Sequence, residues 1–268
     1  MTTYSTDTLK QLLNNLKLNV CLENFQKMAE DAEKQGLSHL FFLQELLQRE
    51  QEIRQQKRIQ TLIKSAQLPR NKLLCDFEVN RIPGLSSSQV QSLAEGEFID
   101  RCGNILIFGN PGTGKSHLSM ALAREWCLAG RKVRFFTAAS LVQHLLQAKA
   151  SLTLNQFIKN LDRFEVIIID DISYIPAEKK ETEVLFTLLA ARYEMRSLVI
   201  TSNLPFSKWD SIFNDPMTTS AAIDRLIHHG TILELNTTSY RTQCAKNNQK
   251  NNVTKAEKMD DKQEVIMA

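Results

Sequence analysis

Eight consecutive residues carry the sharpest chemical signal in the chain: Gly109, Asn110, Pro111, Gly112, Thr113, Gly114, Lys115 and Ser116. They satisfy G-x-x-x-x-G-K-[ST] at every fixed position, the pattern of a loop that cradles phosphates. The glycines let the backbone fold so that N–H groups point at anionic oxygens. Lys115 would reach the β- and γ-phosphates of a nucleoside triphosphate such as ATP, and the Ser116 hydroxyl would ligate Mg²⁺. The flanks fit this reading. Residues 104–108 (NILIF) form a candidate strand before the loop, and residues 116–129 form a candidate helix ending at Gly130. The helix N-terminus adds positive potential at the phosphates. His117 stands on that first turn and is grouped with the nucleotide contacts.

Three further stretches present polar groups beside apolar runs. Val166–Ile169 is a β-branched run that ends in Asp170 and Asp171. The C-terminal end of a buried strand is where an open α/β sheet places ligands. Asp170 would hold Mg²⁺ through water, and Asp171 would polarise an attacking water. Leu198–Thr201 leads to Ser202 and Asn203. Asn203 either caps a loop or hydrogen-bonds the attacking water or the γ-phosphate. In residues 221–227 (AAIDRLI) a helix presents Arg225. Arg225 either pairs with Asp224 at the surface or reaches a neighbouring copy's γ-phosphate, which a guanidinium fork suits.

The elements that must position these groups follow from periodicity. Five β-rich runs, at 104–108, 132–137, 165–170, 197–201 and 231–235, alternate with helical stretches near 115–129, 140–149, 181–194 and 219–228. This alternation predicts a parallel sheet covered by helices on both faces. Residues 1–67 read as all-helical. Leu9, Leu12, Leu13 and Leu16 follow a helical spacing after a cap at Asp7, and a longer helix runs from Ser38 towards Gln67. Residues 68–102, with Pro69, Pro83, Gly84 and three serines, read as a connector with a helical turn near 90–94. The ATPase-like segment spans 103–241, and the polar residues 242–268 are expected to be a disordered tail.

Composition narrows the setting. Lys plus Arg total 33 against 30 Asp plus Glu among 268 residues, a net charge of +3, which excludes a histone-like charge carpet. The five cysteines are scattered without a CxxC pair, so free thiols are expected and a disulfide framework or zinc site is not. No signal peptide or apolar run of membrane-spanning length is visible, so no membrane association and a cytoplasmic location are expected. Charge is concentrated locally. Residues 48–72 hold seven basic side chains against Glu50 and Glu52. Arg49 opens the cluster, while Arg54, Lys57, Arg58 and Lys64 fall near one helical face opposite Ile59, Leu62, Ile63 and Ala66. Such a face either is simply solvated or contacts DNA phosphates without reading sequence. Arg131, Lys132 and Arg134 would extend the track.

Taken together, residues 109–118 (GNPGTGKSHL), 167–176 (IIIDDISYIP), 185–194, 200–209 (ITSNLPFSKW), 221–229 (AAIDRLIHH) and 239–241 (SYR) resemble the IstB-type transposition helper ATPases of insertion sequences. These are AAA+ proteins close to DnaC helicase loaders and more distant from DnaA initiators. The resemblance implies an AAA+ P-loop fold with a five-stranded parallel sheet of order 5-1-4-3-2. It implies that Lys115 and Ser116 are the P-loop pair, Asp170 and Asp171 the second motif, Asn203 a sensor, Arg225 an arginine finger and Arg241 a second sensor. Many AAA+ proteins carry Asp-Glu where this chain has Asp-Asp. No long helical lid is expected after the last strand, and residues 77–83 are expected to help hold the nucleotide. The implied partners are duplex DNA with weak sequence preference, a cognate transposase and further copies of the chain, with nucleoid association when DNA is bound. A DnaC-like helicase loader and a nucleotide-gated adaptor that does not hydrolyse ATP are the alternatives.

Overall fold

The computed structural model describes residues 5–68, 72–174, 179–213 and 215–240. They divide into two compact units between Thr61 and Leu62.

The first unit contains α1 (Thr6–Asn15), α2 (Asn19–Lys34) and the start of α3 (His39–Ala66). The cap of α1 is Ser5, whose hydroxyl accepts the Asp7 N–H at 3.2 Å; Asp7 lies in the first turn, where its charge favours the helix dipole. Cys21, Phe25 and Leu46 form a small core with Leu13, Leu18, Met28 and Phe42. Buried Glu50 fastens it. Its carboxylate accepts the Cys21 N–H at 2.9 Å and the Arg54 Nε–H at 2.7 Å. Burial opposes the charge, but those two donors outweigh it and hold the carboxyl below the usual carboxylate range. Arg54 also donates to the Lys17 carbonyl, so it is engaged inside its own unit.

The second unit opens with the last turn of α3, a short 3₁₀ turn at Val79–Arg81, α4 (Ser87–Glu95) and α5 (Glu97–Asp100). Then follow β1 (Asn104–Phe108), α6 (Lys115–Leu128), β2 (Val133–Thr137), α7 (Ala138–Ala150), α8 (Leu154–Leu161) and β3 (Val166–Asp170). The unit continues with α9 (Lys179–Arg192), β4 (Ser197–Ser202), α10 (Asp210–Phe213), α11 (Pro216–Ile227) and β5 (Gly230–Glu234). The five strands are all parallel in the order β2-β3-β4-β1-β5, which is the expected order read from the opposite edge. Side chains alternate across the sheet. Leu106, Ile167, Ile169, Leu198 and Ile200 face a core shared with α7, α9 and α11. Ile105, Ile107, Val166, Ile168 and Val199 face one shared with α4, α6 and the end of α3. Helices α8 and α10, which lie outside the helical stretches expected from the sequence, cover gaps in the first core through Ile158, Leu161, Ile212 and Phe213.

Two of the basic side chains assigned to a DNA track are engaged elsewhere. Arg131 bridges Glu165 at 3.0 Å and Asp100 at 2.8 Å, which hold its guanidinium more firmly protonated. Arg134 donates to the Ser65 carbonyl at 2.7 Å and lies over the Phe136 ring.

At the edge of the sheet away from the phosphate loop, Arg192 is 1% exposed. It donates to the carbonyls of Leu161 at 3.2 Å, Phe164 at 3.0 Å and Ser197 at 3.2 Å, joining α8, α9 and the starts of β3 and β4. Burial pushes its guanidinium down to about 10. Arg192→Met fills similar volume but removes the guanidinium donors from these carbonyls, of which that of Leu161 keeps the Phe164 N–H at 3.0 Å. It is expected to cost about 3–5 kcal/mol in urea unfolding.

Candidate nucleotide site

The parallel register brings the strand ends to one edge. Thr137 lies beside Asp170, and Phe108 lies beside both Ser202 and Glu234. Phe108 leads into the phosphate loop, so the loop, the two aspartates and Asn203 meet above the same edge.

The loop is shaped by its glycines and by the segment packed over it. Gly112 has φ +82°. A Cβ there would come within 2.3 Å of the Ser239 hydroxyl, and the Gly112 carbonyl accepts the Tyr240 N–H at 2.9 Å. Gly114, φ +103°, starts α6 without a side-chain cap, so no side chain occupies the first-turn N–H groups. The Thr113 hydroxyl closes the loop on the Asn110 carbonyl at 2.9 Å. Gly109, Asn110 and Pro111 form the start of the loop.

Lys115 is 6% exposed. Its ammonium donates to the carbonyls of Gly109 at 2.7 Å and Asn110 at 3.0 Å, and to Asn203 Oδ1 at 2.6 Å. Asn203 Nδ2 donates to Asp171 Oδ1 at 2.7 Å. One amide therefore joins the P-loop lysine to the second aspartate of β3. Thr201 sets the strand end: its hydroxyl donates to Asp170 Oδ1 at 2.7 Å and accepts the Asp171 N–H at 2.8 Å. Asp171 adopts φ +63°, a backbone conformation that costs a non-glycine residue about 1 kcal/mol or more. Burial, and then the neighbouring Asp170 carboxylate, push the Asp171 carboxyl above its ordinary value, against the lowering pull of Ser173 and Asn203.

These groups line a cleft of about 480 Å³, together with Ser116, His117, Met120 and a wall from residues 72–82 and 237–240. Phe77, Glu78, Arg81 and Ile82 supply that wall, at the position expected for residues 77–83. Arg81 stacks over the Tyr240 ring at 4.7 Å. His117 has its Nε2 2.9 Å from the Leu73 carbonyl and its ring 5.7 Å from Phe77, so it braces the wall as well as lining the cleft. Uncapped helix N–H groups, a buried lysine and two carboxylates fit a magnesium–triphosphate. Ser116 and Asp170 are the side chains that could hold the metal.

Arg225 does not line this cleft. It donates to the Ala221 carbonyl at 2.9 Å and stacks over Phe186 at 5.0 Å. Arg241 lies outside the described residues, although Ser239 and Tyr240 reach the loop at Gly112. Arg49, Lys57, Arg58 and Lys64 are exposed on α3, and Arg54 is held by Glu50. Sequence reasoning missed Thr201, Ser173 and the Arg81–Tyr240 stack. A hydroxyl directly after the apolar run Leu198–Ile200 was the available signal for Thr201.

The family model described as IstB-like ATP binding protein matches residues 11–248. An insertion-sequence ATP-binding protein of Sinorhizobium fredii is 40% identical over 235 residues, covering 87% of this chain and 79% of its own. The insertion sequence IS21 ATP-binding protein of Pseudomonas aeruginosa is 35% identical over 233 residues, covering 87% of this chain and 88% of its own. Among solved structures, AMPPCP-bound DnaA from Aquifex aeolicus superposes with a TM-score of 0.53 at 21% identity, over 63% of this chain and 51% of that one. The DnaC helicase loader gives 0.52 at 17% identity, over 62% and 97%. Both likenesses are of fold, the AAA+ P-loop architecture. Among the described residues no helix is long and apolar enough to cross a membrane.

Gly112→Ala places a methyl against Ser239 in a left-handed backbone. It is expected to weaken ATP-analogue binding about tenfold or more with the circular dichroism spectrum retained, measured by titration with a fluorescent analogue.

Proposed function

The chain belongs to the family of IstB-like ATP binding proteins, and we propose that it is a DNA-dependent ATPase that assembles on target DNA and presents it to a transposase. The observation that carries hydrolysis is the Lys115–Asn203–Asp171 chain of hydrogen bonds in one cleft. An amide that touches both the phosphate-binding lysine and a carboxylate can report the γ-phosphate to the group that orients water.

The roles follow from chemistry. Loop N–H groups and the start of α6 bind the phosphates. Lys115 exchanges carbonyl oxygens for phosphate oxygens, which match an ammonium better. Ser116 and Asp170 hold Mg²⁺, which when bound neutralises phosphate charge. Asp171 orients the attacking water, and its partly buried setting favours a carboxylate poised to accept a proton. Lys115 leaves the Asn203 amide oxygen for the γ-phosphate, and the Asn203 Nδ2 donor turns from Asp171 to the same group. Arg225 lies off its own cleft, which supports an action on a neighbouring copy's nucleotide. Hydrolysis would then report assembly. Arg241 remains a proposed second sensor, since Ser239 and Tyr240 bring the chain to the loop.

DNA contact rests on the exposed cations of α3, Arg49, Lys57 and Arg58 in the first unit and Lys64 in the second; the charge of Arg54, also proposed for this face, is balanced by Glu50. Exposed cations of this kind bind phosphates without reading bases. The transposase reading rests on the relatives, which are named as insertion-sequence proteins. The helicase-loader reading has a likeness of fold behind it, and the adaptor reading predicts no turnover.

Lys115→Ala is expected to abolish DNA-stimulated turnover. Arg225→Ala and Asp171→Asn are each expected to lower it at least about tenfold, and an equimolar mixture is expected to regain activity. Turnover that ignores Arg225, with no rescue in the mixture, would refute the trans role. Lys57→Ala with Arg58→Ala is expected to weaken duplex binding and lower the salt slope by about 1 per lost contact. A marked single-strand preference in the wild type would favour the loader reading instead.

A further inference from the structure

One side chain in the cleft network has no role in the reading above. Ser173 lies in the 3₁₀ turn Ile172–Tyr174 directly after β3. Its hydroxyl donates to Asp171 Oδ1 at 3.2 Å and accepts the Asn203 backbone N–H at 2.8 Å. It also lies 3.5 Å from the Ser202 hydroxyl. The same hydroxyl thus touches the turn after β3 and the turn after β4, the two segments that carry Asp171 and Asn203.

We propose that Ser173 is a positioning residue for ATP hydrolysis, holding the Asp171 carboxylate in its orientation while Asn203 exchanges Asp171 for the γ-phosphate. The inference rests on the hydrolysis reading given under Proposed function. Asp171 Oδ1 receives two donors, the Ser173 hydroxyl and the Asn203 amide. Oδ2 receives none among the described residues, so that oxygen is the one left to meet water in the cleft. When Asn203 turns to the nucleotide, Oδ1 loses one of its two donors. Ser173 then keeps the carboxylate from rotating about its χ2, a broad and soft torsion for an aspartate. The Thr201 hydroxyl cannot substitute, because it is engaged with the Asp171 backbone and with Asp170. Ser173 also holds the Asn203 backbone, so the amide swings from a fixed point. A small misplacement of a water-orienting group lowers the chemical step without weakening ground-state binding.

The test uses the full-length protein with MgATP and duplex DNA. Wild-type turnover that disappears in Lys115→Ala establishes the reaction; no such turnover overturns the hydrolysis reading and this inference with it. Given turnover, Ser173→Ala is expected to lower kcat about tenfold. KM for ATP and Kd for AMPPCP are expected to change less than about twofold. Ser173→Thr keeps the hydroxyl and is expected to recover most of kcat. Unchanged kcat in Ser173→Ala, or a loss seated in KM and analogue affinity, overturns the assignment while leaving the hydrolysis reading intact. Should threonine lower the melting temperature, the decision passes to the Asp171→Asn background, read by single turnover. There Ser173→Ala is expected to add no further loss, and independent multiplicative losses overturn the assignment.

Discussion

The ammonium of Lys115, withdrawn from water and surrounded by oxygens, is the constraint on which the cleft depends. A desolvated cation is costly unless hydrogen bonds replace its hydration. Here the carbonyls of Gly109 and Asn110 and the Asn203 amide oxygen replace it. The requirement therefore shapes two segments at once. It folds the phosphate loop back over the lysine, and it draws the turn after β4 to the loop. Asn203 in turn reaches Asp171, so the lysine governs the second motif through one intervening amide. Phosphate oxygens can take over the same cation. The arrangement thus supplies from the protein itself the oxygens that the ammonium needs.

That arrangement needs strands whose ends coincide to within a residue. Parallel pairing supplies this, and buried β-branched side chains on both sheet faces hold the register. At the far edge, Arg192 ties α8 and α9 to the starts of β3 and β4. Between β1 and its neighbours, buried Asn104 donates to the Leu226 carbonyl at 3.2 Å and accepts the Leu198 N–H at 2.9 Å. Polar anchors at the base of the sheet thus leave the opposite ends to chemistry. Among those ends, Asp171 carries the left-handed backbone. Its N–H is held by Thr201 and its carboxylate by Ser173 and Asn203, so the strained backbone is over-determined by its neighbours.

Charge followed a different rule. Local counting marked Arg54, Arg131 and Arg134 as part of one basic surface with Arg49, Lys57, Arg58 and Lys64. Arg54 and Arg131 instead have carboxylates close in space, and Arg134 has a carbonyl and an aromatic face. Guanidinium groups find such partners readily because their planar forks suit carboxylates and carbonyls. Arg49, Lys57, Arg58 and Lys64 are exposed cations on α3.

The sequence by itself determined the parts of the cleft and the class of the fold. The phosphate loop, the strand ending in two aspartates and the strand ending before Asn203 are each written in contiguous residues. Their signals are spacing and apolar runs, which need no partner to be read. The five strands and most helices were legible for the same reason; α8 carries that signal too, in Leu154, Phe157, Ile158 and Leu161, while α10, a single turn, is too short for a helical period to emerge. Tertiary structure alone decided what the polar groups do to one another. That Asn203 joins Lys115 to Asp171, that Ser173 spans two turns, that Arg81 stacks on Tyr240 and that Arg225 stands off its own cleft all depend on segments far apart in the chain. Their meeting is set by strand order and register, and hydrogen bonds act over about 3 Å, a scale that no one-dimensional pattern resolves.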